Sequence, residues 1–288
     1  MPELPEVQTI VNDLITAGVN SATIAGARVF WSRTIAEPTA KSFCRQIKGK
    51  KISMIRRRGK FIVFEFENGE NLLIHLRMSG RLNLVARNLP REKHEHVILN
   101  FNDGNQLRFH DTRKFGRIYL TANAEKILGR LGFEPLTTGF TWKMFAQQLH
   151  PRKCRLKPLL LDQTFIAGLG NIYADEALWE SRIHPCRIAA SLSDSEIRAL
   201  HRAILKVLKR GLKNLGTSLG TAKTNFYSIA KHQGRNRDEL KVFRRTGRPC
   251  RRCRTMIQRI IVNQRSTHVC PKCQQPEGFR CQVSGFQR

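Results

Sequence analysis

Acidic residues are scarce in this chain of 288 residues: 22 Asp and Glu stand against 51 Lys and Arg. The resulting formal net charge of +29 repels itself in a compact state, and such an excess persists where the partner is a polyanion. Long apolar runs are also missing. The longest are of the size of Phe61-Ile62-Val63-Phe64, far short of the roughly 20 residues that a membrane-spanning helix needs. Nucleic acid therefore leads an anionic membrane surface as the expected partner. Positions 1–27 hold no Lys or Arg, but do hold Glu3, Glu6 and Asp13. That is the reverse of the basic stretch that opens a secretory signal, so the expected compartment is the cytosol. Apolar residues still make up 41% of the chain, enough for ordinary cores, which excludes wholesale disorder.

What is present divides into segments. The length suggests two domains with a small appendage. Val7, Ile10, Val11, Leu14 and Ile15 share one helical face, and Gly18 ends it. From about residue 24 to 120 the pattern is that of short strands. Asn68-Gly69 and Asp103-Gly104 are hairpin turns between apolar runs, as in a β-sandwich or barrel with the opening helix against its edge. Gly129, Gly132, Pro135 and Gly139 mark an interdomain connection over 131–152. Residues 153–240 are expected to form a helical domain. In it, Ser193-Asp194-Ser195-Glu196 is a capping box ahead of Ile197, Leu200, Ile204, Leu205, Leu208 and Leu212. Residues 216–240 lose periodicity and are expected to be a mobile loop.

Four of the eight cysteines fall as Cys250-x-x-Cys253 and Cys270-x-x-Cys273, with sixteen residues between the pairs. In a reducing compartment this spacing is that of metal ligands, and four thiolates make a closed, structural zinc site with no open position for catalysis. The gap has room for a β-hairpin, with Ile260-Ile261-Val262 as a strand. Zinc would then make a rigid basic finger, carrying Arg251, Arg252, Arg254, Arg259 and Arg265, from too few residues to fold alone.

The N-terminus offers chemistry of its own. Pro2 follows the initiator Met, whose removal leaves a free secondary amine. An α-amino group titrates near 7.7–8.0, so much of it is neutral at physiological pH and able to attack an electrophilic carbon. Attack on an aldehyde-level carbon yields an iminium, and Glu3 stands next to it to move protons. The plainer alternative is that Pro2 and Pro5 start a helix whose dipole Glu3 and Glu6 complement.

The opening Met1-Pro2-Glu3-Leu4-Pro5-Glu6-Val7 resembles that of the bacterial formamidopyrimidine-DNA glycosylase family. The resemblance continues through Arg58-Gly59-Lys60-Phe61, Ile74-His75-Leu76-Arg77-Met78-Ser79-Gly80, Lys93-His94-Glu95-His96 and Asp111-Thr112-Arg113-Lys114-Phe115-Gly116. It runs on through Leu159-Leu160-Leu161-Asp162-Gln163, Gly168-Leu169-Gly170-Asn171-Ile172-Tyr173-Ala174 and Gln264-Arg265-Ser266-Thr267. The motifs keep family order over residues 1–274. The related endonuclease VIII group usually has Gly where Leu4 stands.

The resemblance implies an α+β protein: an N-terminal β-sandwich catalytic domain over 1–130 with an opening helix, a helix–two-turn–helix domain over 153–240, and a zinc finger over 241–274. DNA would lie in the cleft between them, and residues 275–288 would be a disordered tail. It also implies excision of oxidised purines, 8-oxoguanine and formamidopyrimidines, from duplex DNA, followed by strand cleavage at the abasic site. The enzyme would be bacterial, cytoplasmic, nucleoid-associated and monomeric, with no membrane partner and one structural zinc held by Cys250, Cys253, Cys270 and Cys273.

Residue by residue, the resemblance makes Pro2 the nucleophile, Glu3 the general acid and Glu6 a residue that shapes the site. Lys60 matches the position credited with the first elimination, and a phosphate contact suits it equally. Arg265 matches the one credited with the later elimination, where a phosphate clamp is as plausible. His94, Arg113, Arg152, Lys157 and Asn171 fall at DNA-contact positions. Met78, Arg113 and Phe115 match the side chains that fill the void left by an extruded base. For Met78 and Phe115 the competing expectation is core packing. Two departures stand out: the segment from Gly216 to Phe226 lacks a common Asp, and Val242-Phe243-Arg244-Arg245 replaces a common Val-Tyr-Gly-Arg. Both lie where the flipped base would be capped, so they bear on base selectivity rather than on lyase chemistry. The alternatives are an endonuclease VIII-like glycosylase for oxidised pyrimidines and a noncatalytic zinc-finger DNA-binding protein.

Overall fold

The computed structural model describes residues 2–220 and 226–276. The chain divides into two compact units. The first comprises Met1–Arg130 and Gly211–Arg237, the second Leu131–Arg210 and Asp238–Arg288.

The first unit is a β-sandwich. Its strands are β1 (Ile24–Val29), β2 (Ile35–Glu37), β3 (Ile52–Arg58), β4 (Phe61–Phe66), β5 (Asn71–His75), β6 (Gly80–Ala86), β7 (Glu95–Phe101), β8 (Asn105–Asp111) and β9 (Arg117–Thr121). One sheet runs β1-β7-β8-β6 and the other β2-β9-β5-β4-β3, with β2 parallel to β9 and the remaining pairs antiparallel. Both hairpin signals lie at turns: β4 and β5 flank Asn68-Gly69, and β7 and β8 flank Asp103-Gly104. Alternate positions of each sheet face one core, where Ile62, Phe64, Leu72 and Ile74 meet Val97, Leu99, Leu107 and Phe109. Helix α1 (Leu4–Thr16) lies along β3, the edge strand, and adds Val7, Ile10, Val11 and Leu14 to that core. The short helix α2 (Ala40–Gln46) packs against β1 and β2, capped by Thr39 and anchored by buried Phe43. A buried ion pair, Arg108 to Glu95 at 3.1 Å, joins β8 to β7. The same guanidinium donates to the carbonyls of Leu89 and Pro90 and so gathers the loop before β7.

The second unit is mainly helical. After α3 (Glu125–Leu128) at the end of the first unit come α4 (Trp142–Leu149), α5 (Leu156–Leu161), α6 (Asn171–Glu180) and α7 (Asp194–Lys213). Residues 131–152 are more than the expected connection. They contribute α4 and a ring cluster in which Phe140 and Phe145 meet edge-on at 5.2 Å, with Phe133, Phe165 and His201 around them. The Gly and Pro signals there are real turns, but the phenylalanines between them fill a core. At the start of α7, Ser193 and Glu196 form the reciprocal cap: Ser193 N–H donates to Glu196 Oε2 at 2.8 Å and Glu196 N–H to Ser193 Oγ at 3.3 Å. The buried face of α7 is Ile197, Leu200, Ala203, Ile204, Val207 and Leu208, whereas Leu205 and Leu212 lie at its margin, half-buried.

The segment expected as a mobile loop, 216–240, joins the sandwich unit up to Arg237. Residues 221–225 lie outside the described residues. On either side of them, Thr217 pairs with Arg235 and Tyr227 with Gln233, and Asn236 is buried. The loop lacks periodicity because these are isolated bridges, too short to imprint alternation on the sequence. The finger hairpin is β10 (Gln258–Val262) and β11 (Arg265–Val269). Its turn, Asn263-Gln264, has both residues at positive φ, 45° and 59°, as a two-residue hairpin loop demands. Of the expected tail, residues 277–288 lie outside the described residues. No described helix is long and apolar enough to cross a membrane.

Candidate active site and zinc centre

Glu3 is the N-cap of α1, and Pro5 sits in the first turn. The plain helix-start expectation is therefore met, but it does not exhaust the geometry. Glu3 and Glu6 cap each other reciprocally, with the Glu3 N–H donating to Glu6 Oε2 at 2.8 Å. Both are buried, at 2% and 1% exposure, beside a half-buried Pro2. The other Glu6 oxygen accepts from the backbone N–H of Thr217 at 2.7 Å. Gly216, at φ +85°, comes so close that an added Cβ would lie 2.8 Å from Glu6 Cγ. Glu6 thus ties the start of the 216–240 segment to the end of the chain that carries Pro2. Only the tertiary fold makes this contact, and no sequence signal pointed to it.

Lys60 lies in the two-residue turn between β3 and β4, where Arg58 pairs with Phe61 and Gly59 takes φ +55°. It is only 5% exposed, not a solvated strand-end cation. Lys60 and Arg77 both bear on His75, whose pKa is lowered to about 3 by burial first and then by these two cations. His75 Nδ1 accepts the N–H of Arg77 at 3.0 Å, which requires the neutral ring.

Met78 and Phe115 are 47% and 46% exposed, so neither is core packing. The Arg113 guanidinium lies 4.7 Å from the Phe115 ring centre. His94 takes φ +74° and stands edge-on to His96 and His110.

In the second unit, Arg152 and Arg265 are exposed, Arg265 at the first position of β11. Asn171 opens α6. Its Nδ2 donates to the Ser266 carbonyl at 3.0 Å, while its Oδ1 is buried with no partner among the described residues. Lys157, expected as a DNA contact, needs correction. It is fully buried, with Nζ 2.6 Å from Asp175 Oδ1, and donates to Thr267 Oγ1 at 2.7 Å and the Ser266 carbonyl at 3.1 Å. A cation so enclosed has no face left for a phosphate and instead holds β11 to α6. Arg252, expected on the basic face of the finger, also turns inward. It donates to the carbonyls of Trp179 and Glu180 and stacks 4.1 Å from the Trp179 ring, closing the C-terminus of α6.

Two acids that the sequence reading passed over anchor the finger. Glu176 accepts the backbone N–H groups of Lys241, Val242 and Phe243, with Arg210 at 3.3 Å. Burial raises its pKa against those favourable bonds. Asp175 accepts both the N–H and Nδ1 of His268. Their sequence signal was two scarce acids inside an otherwise apolar helix.

The four cysteine sulfurs of Cys250, Cys253, Cys270 and Cys273 lie within 4.8 Å of one another. Cys250 is 4.0 Å from Cys273, and Cys253 is 3.4 Å from Cys270. Zinc–sulfur bonds of about 2.3 Å in a tetrahedron imply sulfurs about 3.8 Å apart, so zinc fits this set. Backbone N–H groups of Arg252 and Cys273, and the Trp179 indole, point at the sulfurs and favour thiolates. Among bare thiols the demand is split: hydrogen bonding from Thr255 pulls Cys253 down to about 6, and burial pushes Cys270 up to about 12. A shared divalent cation resolves this by favouring the ionised form of all four.

A β-sandwich with a proline–glutamate N-terminus, joined in sequence to a helical unit closed by a four-cysteine zinc finger, defines a class of α+β protein. Family models match in the same order: the formamidopyrimidine-DNA glycosylase N-terminal domain over residues 1–118, its H2TH domain over 131–223, and the zinc finger found in FPG and IleRS over 247–276. A formamidopyrimidine-DNA glycosylase of Protochlamydia amoebophila is 47% identical over 95% of this chain and 99% of its own. One from Herpetosiphon aurantiacus is 43% identical over 95% and 100%. Among solved structures, a point mutant of Lactococcus lactis FPG bound to DNA containing Fapy-dG has a TM-score of 0.87 at 37% identity, covering 95% of this chain and 100% of that one. MutM in complex with DNA containing carbocyclic 8-oxo-G has a TM-score of 0.86 at 37% identity, with the same coverage. The chain belongs to the formamidopyrimidine-DNA glycosylase family.

Two expectations follow. Replacing Cys250 with Ser should release metal, measured by atomic absorption, and weaken DNA binding, while the circular dichroism of the sandwich strands persists. The second concerns pH. The folded pKa of His75 lies near 3, below the ordinary 6.5, so the unfolded chain binds the extra proton and stability falls as pH drops below about 6.5. From pH 7.5 to 5, this group alone should cost about 2 kcal/mol. Urea unfolding of wild type and His75→Gln at both pH values should show a smaller acid loss in the variant.

Proposed function

We propose that this chain is a bifunctional DNA glycosylase and abasic-site lyase of DNA repair, excising oxidised purines such as 8-oxoguanine and formamidopyrimidines from duplex DNA. The relatives named above are formamidopyrimidine-DNA glycosylases, and solved neighbours hold DNA containing Fapy-dG, an abasic site or an 8-oxo-G analogue. Oxidised purines are thus favoured over oxidised pyrimidines. The observation that carries the mechanism is the pairing of a half-buried Pro2 with a Glu3 held at 2% exposure by the reciprocal cap.

Once Met1 is removed, the Pro2 amine attacks the anomeric carbon of the damaged nucleotide. The bond from that carbon to the base breaks, and the base leaves with its bonding pair and takes up a proton. Glu3 protonates the ring oxygen, and the sugar opens to an iminium on Pro2. That cation acidifies the adjacent sugar carbon, so loss of a proton expels the 3′ phosphate, and a second proton loss expels the 5′ phosphate. Water then hydrolyses the iminium and frees the amine. Glu6 orients Glu3 through its backbone N–H and braces Gly216-Thr217. The resemblance assigns Lys60, 5% exposed in the turn between β3 and β4, a contact with the phosphate at the lesion, and exposed Arg265 and Arg152, with half-buried His94 and Asn171, suit the rest of the backbone. Met78, Arg113 and Phe115 fill the space left by the extruded nucleotide, Arg113 bonding the orphaned base. One zinc per chain holds the finger. The enzyme acts as a monomer in the bacterial cytoplasm, at the nucleoid.

Borohydride should trap a covalent adduct with DNA containing 8-oxoguanine, and peptide mapping should place it on Pro2; an adduct at Lys60 would overturn the assignment. Glu3→Gln should lose base excision by at least about a hundredfold and incision at a preformed abasic site far less, because that sugar is already partly open. Equal losses would remove the ring-opening role.

A further inference from the structure

Asp111 is fully buried at the end of β8, and the mechanism above leaves it without a task. Its bonds converge from three loops. Oδ1 accepts from Ser79 Oγ at 2.5 Å and from the N–H of Arg113 at 3.1 Å, and Oδ2 accepts from the N–H of Gly116 at 2.7 Å. The Arg113 N–H also reaches Ser79 Oγ at 3.2 Å. Through its backbone, Asp111 donates to the His94 carbonyl at 3.0 Å and accepts from His96 Nε2 at 2.8 Å. Each loop carries side chains assigned above to DNA: Met78 beside Ser79, His94, and Arg113 with Phe115.

Each loop is also bent in a way that needs support. Arg77, His94 and Lys114 take φ of 54°, 74° and 60°, left-handed values that residues with a Cβ hold only when their surroundings impose them. The backbone is packed tightly on both sides of the carboxylate. A Cβ on Gly80 would lie 2.4 Å from the Leu76 carbonyl oxygen, and one on Gly116 would lie 2.2 Å from Phe109 Cζ. Glycine lets the turn from Leu76 to Gly80 close on itself, and lets the backbone at Gly116 pack against Phe109 and the Asp111 carboxylate.

We propose that Asp111, acting through Ser79, is the positioning residue that locks the Met78 loop to the Arg113–Phe115 loop, so that the side chains entering the base stack move as one rigid wedge. A wedge on two independent loops would have to be ordered during extrusion, at an entropic cost set against stacking. Shared bonds to one carboxylate meet that cost when the chain folds. This rests on the reading of Met78, Arg113 and Phe115 as void-filling side chains.

The test uses full-length, zinc-loaded protein and a duplex with 8-oxoguanine next to 2-aminopurine, whose fluorescence rises when the stack opens. Ser79→Ala, in a half-buried loop position, should diminish the rise and slow single-turnover excision by at least about tenfold, while slowing incision at a preformed abasic site much less. Ser79→Thr, which keeps the hydroxyl, should restore both signals. Asp111→Asn keeps one acceptor oxygen and must turn its N–H2 toward the N–H of either Gly116 or Arg113, so it should act in the same direction more strongly; if it does not fold, Ser79→Ala still decides. Met78→Ala separates the two ideas. If Met78→Ala impairs the fluorescence rise and Ser79→Ala does not, the brace is wrong and the wedge stands. If Met78→Ala behaves as wild type, the wedge reading falls and the brace with it. Equal loss by Ser79→Ala on both substrates would mean a merely structural role and would overturn the proposal.

Discussion

Buried carboxylates organise this protein. Among the described residues, Glu3, Glu6, Glu95, Asp111, Asp175 and Glu176 are the acids withdrawn from solvent, in a chain whose formal charge is +29. Burying an ionised group is costly unless its oxygens are fully bonded. Hydrogen bonds or ion pairs reach every one of them, and the donors are largely backbone N–H groups of loops or buried cations. The cost of desolvation is thereby turned into loop geometry. Removing Glu6, Asp111 or Glu176 would leave two or more backbone amides unsatisfied at once.

The finger shows the consequence most plainly. Its cysteines and hairpin hold too little apolar surface to fold alone, and its buried side chains fall into two small clusters, Val242, Ile257, Cys250 and Cys270 on Trp179 of α6, and Ile260, Val262 and Val269 on Cys186. Helix α6 has no polar stripe. Residues Ile172 to Trp179 are all buried, including the two acids. Asp175 takes β11 through His268 and Lys157, Glu176 takes the chain at 241–243, and Arg252 returns to cap the helix. The metal closes one end of the finger and the carboxylates of α6 fix the other, which sets where exposed Arg265 projects.

In the sandwich unit the same device holds the N-terminus and the loops that carry Met78 and Arg113. Several acids are drawn inside, so those left at the surface are heavily outnumbered by Arg and Lys. So large a basic excess supplies general affinity for the phosphate backbone. The segments that carry Pro2 and the exposed Met78, Arg113 and Phe115 are instead held by hydrogen bonds to buried oxygens. Long-range charge and local positioning are thus divided between the basic and acidic residues.

Much of this was legible in one dimension. Strand alternation around Asn68-Gly69 and Asp103-Gly104, the Ser193–Glu196 cap and the paired cysteines are local patterns, and local patterns survive in sequence because neighbours in the chain make them. The motifs from Pro2 to Arg265 likewise named the family. The errors share one cause. The resemblance made Lys157 a DNA contact and the finger's charge put Arg252 on a basic face, because sequence records a cation and not the carboxylate or helix end that comes to meet it. Residues 131–152 looked like a connection because turns are visible in sequence and the ring cluster of Phe133, Phe140 and Phe145 with distant Phe165 and His201 is not. Composition, periodicity and spacing thus determined the partner, the elements and the metal. Which charges face solvent and which are locked inside was decided only by the tertiary structure, since burial belongs to the packed chain and not to any residue in it.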